Sequence, residues 1–128
     1  MALFNFNNQQ LILLLYRYLL VKNKEDIFAL IKNNIYQVKF ENIEIIFENE
    51  AKINLLISNN LKKNWTIERM NALIKATIFN GVFLIKFLKQ NKKIVIDQSL
   101  NFIKKFFWNQ EHKYINAILD NCTKNEFL

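Results

Sequence analysis

Apolar residues recur every three to four positions along most of the chain, which is the spacing of a helix that buries one face. This pattern predicts helices over residues 5–21, from Asn23 to about Tyr36, over residues 41–62, from Asn71 to about Leu88, and twice more within residues 93–121. Residues 36–40 alternate, but no second strand pattern is present to pair with them, so we interpret them as a link. We therefore expect an all-α protein in which residues 1–128 form a single compact bundle of six to seven helices.

Individual positions within the predicted helices indicate how the helices pack. The final helix is predicted to bury the stripe Ile115, Ile118, Leu119 and Cys122, and the helix before it to bury Leu100, Ile103, Phe106 and Phe107. Asn116 has apolar neighbours and is predicted to be a buried polar residue with a local hydrogen bond. Gly81 lies inside the fourth predicted helix, where it costs about 1 kcal/mol relative to alanine unless a neighbouring helix packs closely there.

A cluster of basic and aromatic residues marks the corner between the last two predicted helices. Its members are Lys104, Lys105, His112, Lys113 and Tyr114. Because cations contact phosphates and an accessible aromatic ring stacks on bases, such a corner suits single-stranded nucleic acid. The alternative is that the lysines form an ordinary solvated face and that Tyr114 is a half-buried residue that anchors its helix to a neighbour.

The net charge of the chain also has two interpretations, a binding surface for a negatively charged partner or an ordinary solvated surface. The 128 residues carry a formal charge of +7, and most of the positive excess lies after residue 64. A positive field favours a polyanion or an acidic protein surface as the partner. The alternative is that frequent lysines keep an apolar protein in solution.

Few residues are available for catalysis, metal binding or membrane insertion. His112 is the only histidine and Cys122 the only cysteine, and no phosphate-binding glycine loop or metal-ligand cluster is present, so we expect no enzyme, no metal and no cofactor. Cys122 lies on an apolar stripe and is predicted to be a core residue. The most apolar run, residues 11–21, contains Arg17 and is shorter than the roughly 20 residues that span a bilayer. We expect a cytoplasmic protein without a membrane contact.

Three strings in the C-terminal half resemble a known family. Residues 113–120 read KYINAILD, which is similar to the K-F-[VI]-N-[GA]-[VI]-L-D signature of the NusB family of transcription antitermination factors. Residues 96–99 (IDQS) with residues 104–106 (KKF) resemble the family's I-N-E-A…A-K-x-F. Residues 64–70 (NWTIERM), followed by residues 76–78 (ATI), resemble its W-x-[IL]-[ED]-R-[MI]…A-I-L. The N-terminal half matches only in outline, through residues 14–16 (LLY).

The resemblance implies a small all-helical domain that recognises other molecules and catalyses no reaction. Members of the family bind the boxA element of leader RNA, pair with the ribosomal protein NusE, and help the RNA polymerase elongation complex to read through terminators. Lys113 and Tyr114 match a Lys-Phe pair on the family's RNA-binding face, which implies RNA contacts there and at the neighbouring Lys104, Lys105 and His112. The NusE-facing surface is implied to include Tyr16, Phe83 and Leu84.

The chain also departs from the family pattern. Residues 1–8 contain no cation, whereas the family has an arginine-rich start, so weaker RNA binding is expected. Phe79, Leu84 and Gln98 occupy positions where the family has Arg, Glu and Glu. These differences, and an expected surface location for Phe4, Phe6 and Phe83, leave a second hypothesis open. In it the chain is a protein-interaction module that has lost specific RNA binding, with a homodimer among the alternatives. A third hypothesis is the detached RNA-binding domain of an rRNA cytosine methyltransferase.

Overall fold

The computed structural model describes residues 6–61, 70–107 and 113–124, and the side chains of all of these except Phe6, Asn7, Lys113 and Tyr114. In these ranges the chain is all-α, as predicted, and forms seven α-helices and no strand. The helices are α1 (Phe6–Val21), α2 (Lys24–Lys32), α3 (Phe40–Glu48), α4 (Glu50–Ser58), α5 (Ala72–Val82), α6 (Lys92–Lys104) and α7 (Lys113–Cys122). A π-helical turn, Phe83–Phe87, continues α5.

Asparagine side chains define where three of the helices begin. The Oδ1 atom of Asn23 accepts a hydrogen bond from the Asp26 N–H at 3.1 Å, that of Asn71 from the Leu73 N–H at 2.9 Å, and that of Asn91 from the Ile94 N–H at 3.0 Å. Each bond satisfies a backbone donor that has no partner within the first helical turn. The predicted caps at Asn23 and Asn71 are therefore confirmed.

The second helix is shorter than the sequence pattern predicts. It ends at Lys32 because Asn34 adopts a left-handed conformation, with φ 59°. The Ile35 N–H then donates to the Leu30 carbonyl at 3.0 Å, and the Asn34 N–H donates to the Ile31 carbonyl at 3.0 Å, which closes the helix end. The prediction of a helix as far as Tyr36 is wrong, because Asn tolerates the left-handed region better than most residues.

The single helix predicted over residues 41–62 is in fact two helices. The break is at Asn49, whose φ and ψ of −111° and 13° are not helical. Its side-chain amide donates to the Ile45 carbonyl at 2.8 Å, a local bond that competes with the regular helical ladder. Both helices contribute to the core, where the buried residues are Ile43, Ile46, Ile53 and Ile57.

Helix α5 is the centre of the bundle. It packs most extensively on α1 and also contacts α6 and α7. Every residue from Ala76 to Val82 is buried. Gly81 makes the contact with α7 close, because a Cβ atom at this position would lie 2.7 Å from Leu119 Cδ2. The close helix neighbour that would justify a glycine at this position is therefore present.

The π-helical turn after α5 places two predicted surface residues in the core. Its defining bond joins the Leu88 N–H to the Phe83 carbonyl at 3.1 Å, five residues apart. Phe83 is 0% exposed and Leu84 is 1% exposed. The expectation that Phe83 lies on the surface is wrong, because the helix packs against neighbours on all sides at this level. Phe4 and the side chain of Phe6 lie outside the described part.

Candidate nucleic-acid interface

Helices α6 and α7 form an antiparallel pair that is joined at one end by charge. The Lys92 ammonium lies 2.7 Å from Asp120 Oδ1 and also donates to the Asp120 carbonyl oxygen at 3.0 Å. The hydrogen bond from Lys92, reinforced by its positive charge, lowers the pKa of Asp120. Because the start of α6 is thereby held against the end of α7, the opposite end of the pair is the predicted basic corner.

The Asp120 contact predicts an acid-dependent loss of stability. A carboxyl group with a lowered pKa stabilises the folded state above its unfolded-state pKa of about 4, and this contribution disappears as the pH falls through the folded-state pKa. We expect Asp120→Asn to lose stability at pH 7 relative to the parent, and the difference between the two proteins to shrink as the pH falls below about 4. Urea unfolding across this range measures the effect. Asp97→Asn, an exposed carboxylate on α6, is the control, and parallel curves for Asp120→Asn and the parent would contradict the contact.

The predicted buried stripe of α7 is confirmed. Ile115, Ile118, Leu119 and Cys122 are all at most 4% exposed. The Cys122 thiol donates to the Leu56 carbonyl oxygen at 3.4 Å, and burial raises the pKa of this thiol to about 11. Cys122 is therefore a core residue, as the sequence predicts. Asn116 is exposed, so its predicted burial is wrong, since its position on α7 lies opposite the stripe.

The buried face predicted for α6 extends too far. Ile103 is fully buried, but α6 ends at Lys104, and the Phe106 N–H donates to the Ile103 carbonyl at 2.9 Å in a turn. The turn carries Phe106 away from the stripe, and this residue is 50% exposed. The helical period predicts burial of Phe106 only if α6 continues past Lys104, and the helix ends there.

Three consecutive exposed residues lie in the described part of the corner. Lys104 and Lys105 are exposed, and neither forms an ion pair with another described residue. The Phe106 ring beside them packs on Phe102 with centroids 5.2 Å apart and keeps half of its surface open. The two cations can contact phosphates, and the accessible ring can stack on a base. This group therefore suits one nucleotide of a single strand. The sequence pattern does not predict an exposed role for Phe106. Basic residues are typical of the last turn of a helix, so the Lys104–Lys105 pair is a signal that α6 ends before Phe106.

The remaining predicted RNA contacts are only partly within the described residues. Lys113 and Tyr114 are the first two residues of α7, so the helix begins at the corner as predicted, but their side chains lie outside the described part. His112 lies entirely outside it. The roles of these three residues remain predictions.

The residues predicted to face a protein partner do not form one surface. Tyr16 is half-buried on α1, whereas Phe83 and Leu84 are core residues. In this conformation only Tyr16 is accessible to a partner. A contact through Phe83 or Leu84 would require α5 to separate from its neighbours.

Two further features of the described residues concern other functions. None of their helices is long and apolar enough to cross a bilayer. No group of three or more His, Cys, Asp and Glu side chains among them is arranged to hold a metal ion.

Comparison with known families identifies the chain's relatives. The family model described as "NusB family" matches residues 40–124, about two thirds of the sequence. The chain belongs to the NusB family. This NusB match begins at α3 and includes all of α6, the corner and α7, so the candidate interface lies within it. Helices α1 and α2 precede it.

Individual relatives agree with this assignment. A "Transcription antitermination protein NusB" of Ligilactobacillus salivarius is 28% identical over 77% of this chain and 79% of its own length. One from Borreliella burgdorferi is 35% identical over 62% of this chain and 56% of its own length. One from Sulfurimonas denitrificans is 29% identical over 83% of this chain and 72% of its own length. Several relatives are thus matched over little more than half of their length, and no solved structure matches the chain.

Proposed function

We propose that this NusB-family protein is a transcription antitermination factor that binds boxA-like leader RNA through the corner between α6 and α7, together with the ribosomal protein NusE. Its relatives are named transcription antitermination proteins, which supports the process. The observation that carries the RNA contact is the exposed group Lys104, Lys105 and Phe106 at the end of α6. In this proposal the protein recognises RNA and performs no chemistry on it.

Each described side chain at the corner has a distinct role in the proposed contact. Lys104 and Lys105 neutralise phosphates, so their contribution weakens as the salt concentration rises. The Phe106 ring stacks on a base, and Phe102 beneath it limits the ring's motion, so little conformational entropy is lost on binding. We propose that Lys113, Tyr114 and His112 extend the same surface across the corner.

The accompanying protein contact is proposed for the α1 side of the bundle. Tyr16 is the predicted partner residue that is still accessible, and α1 packs on α5 as a rigid base for it. The alternative function is a protein-interaction module without specific RNA binding. Co-purification of a protein partner after nuclease treatment would support this alternative.

A titration of a boxA RNA by fluorescence anisotropy tests the RNA contact. We expect Lys104→Ala/Lys105→Ala to weaken binding about tenfold and to reduce the salt slope by about 2, since two phosphate contacts are lost. Phe106→Ala should weaken binding about tenfold while leaving the salt slope unchanged, because stacking releases no counterions. Lys113→Ala and Tyr114→Ala should follow the same two patterns respectively.

The matched control removes two lysines elsewhere. Lys32→Ala/Lys52→Ala changes the net charge by the same amount at exposed positions on α2 and α4. If this control weakens binding as much as the corner variant, the RNA is held by net charge alone. Weak binding to every RNA sequence, unaffected by any corner substitution, would count against the proposal.

A further inference from the structure

A polar cavity lies away from the α6–α7 corner. It encloses about 510 Å³ between α1, the connection from α2 to α3, and the turn that follows the π-helical segment. Five of its lining residues carry side-chain carboxamides, namely Asn8, Asn34, Gln37, Asn42 and Gln90. Tyr36 and Lys39 also line it, and no carboxylate or arginine is among the described residues around it. A cavity of this size accommodates one nucleotide.

Backbone hydrogen bonds fix two walls of the cavity in place. Asn34 is held in its left-handed conformation by the bonds that end α2. On the opposite wall the Gln90 N–H donates to the Leu84 carbonyl at 2.9 Å, and Lys89 before it has a φ of 55°. Asn34 and Lys89 each occupy the left-handed position that commonly follows the end of a helix, and the bonds around them fix the course of the two loops. The two loops are therefore positioned before any ligand arrives.

The side chains of the cavity offer donors and acceptors without a net negative charge. Asn34, Gln37, Asn42 and Gln90 make no side-chain hydrogen bond to another described residue, so the N–H and C=O groups of these four side chains remain available. A carboxamide pairs with an adenine edge through one donor and one acceptor at once. The half-buried Tyr36 ring packs against the core and can stack on a base, and the exposed Lys39 can contact a phosphate.

We propose that this cavity binds a single nucleotide, whose base is recognised by the carboxamides of Gln37 and Gln90 and stacks on Tyr36, and whose phosphate contacts Lys39. The same chemistry is offered by a base in single-stranded RNA and by a free nucleotide. The choice of RNA as the natural source rests on the proposed function. The cavity would then be a second contact point for an RNA held at the α6–α7 corner.

The experiment is a titration of the ¹⁵N-labelled chain with adenosine monophosphate, ribose 5-phosphate and a twelve-residue oligoadenylate. The side-chain amide signals of Gln37 and Gln90 should shift with the mononucleotide and not with ribose 5-phosphate, because recognition requires the base. Gln37→Ala/Gln90→Ala and Tyr36→Leu should each weaken nucleotide binding about tenfold. The control variant Asn59→Ala/Asn121→Ala removes two exposed carboxamides outside the cavity and should bind as the parent does.

The outcomes separate this proposal from the one for the corner. Tighter binding of the oligoadenylate than of the mononucleotide, with shifts at the same amides, identifies RNA as the source, and equal affinities identify a free nucleotide. If ribose 5-phosphate shifts the amides as strongly as the nucleotide, or if the cavity and control variants bind alike, the nucleotide site is refuted. If Lys104→Ala/Lys105→Ala loses RNA binding but binds the mononucleotide as the parent does, the result supports the corner contact and does not contradict the nucleotide site in the cavity.

Discussion

Replacement of Phe83 by alanine is expected to lower the free energy of unfolding by about 3–5 kcal/mol, the range for a large aromatic side chain removed from a packed core. The Phe83 side chain is 0% exposed, and its ring stacks on that of Phe87 with centroids 6.2 Å apart. Its loss would leave a cavity at the point where α5 meets its neighbours. Urea unfolding followed by circular dichroism measures the change as a lower midpoint with a similar slope.

The matched control is Phe106→Ala, the same truncation at a half-exposed position. It should cost about 1–1.5 kcal/mol, because only about half of this side chain is buried. The comparison also tests the partner role that the family resemblance implies for Phe83. If Phe83→Ala had the stability of the parent and lost only NusE binding, the side chain would be a surface contact and its buried location would be wrong.

Introduction of valine at Gly81 is expected to destabilise the protein by about 2–3 kcal/mol. Even the Cβ atom would lie 2.7 Å from Leu119 Cδ2 and 3.0 Å from Leu119 Cδ1, and the two γ-methyl groups would add to the overlap. Leu119 is itself fully buried, so it has little space to move aside. Ala117→Val on the exposed face of α7 is the control and should cost only the difference in helix propensity, below about 1 kcal/mol.

A double-mutant cycle isolates the contact between the two helices. Leu119→Ala alone should cost about 2–5 kcal/mol because it opens a cavity. In the combined variant the valine at position 81 can occupy part of that space, so the double variant should be at least 1 kcal/mol more stable than the sum of the single effects predicts. Strict additivity would mean that Gly81 and Leu119 do not touch.

The helical class and the buried stripe of α7 could be predicted because they depend on local periodicity. Ile115, Ile118 and Leu119 recur at the helical spacing, and that spacing alone determines which face is apolar. The cap at Asn71 could be predicted for a similar reason, since its bond to the Leu73 N–H involves residues only two positions apart. The corner could be placed between the two periodic stretches, and the family signature added the expectation of RNA contacts there.

The features that were missed depend on how segments pack against one another. The break at Asn49 interrupts a pattern that continues across it, because isoleucines on both sides keep a helical spacing. The π-helical turn buries Phe83 and Leu84 through contacts with distant parts of the chain. At the corner, periodicity predicts that Phe106 is buried because the apolar pattern continues past Lys104, where α6 ends.

The π-helical turn has a consequence for variation in chain length. Such a turn is an α-helical turn with one additional residue, so deleting one residue between Phe83 and Phe87 would restore the regular ladder without rotating α6 relative to α5. The same deletion within α6 would rotate every following side chain by about 100° and move Ile103 out of the core. Among homologues, single-residue gaps should therefore be tolerated at this turn and rare in the helix that follows it.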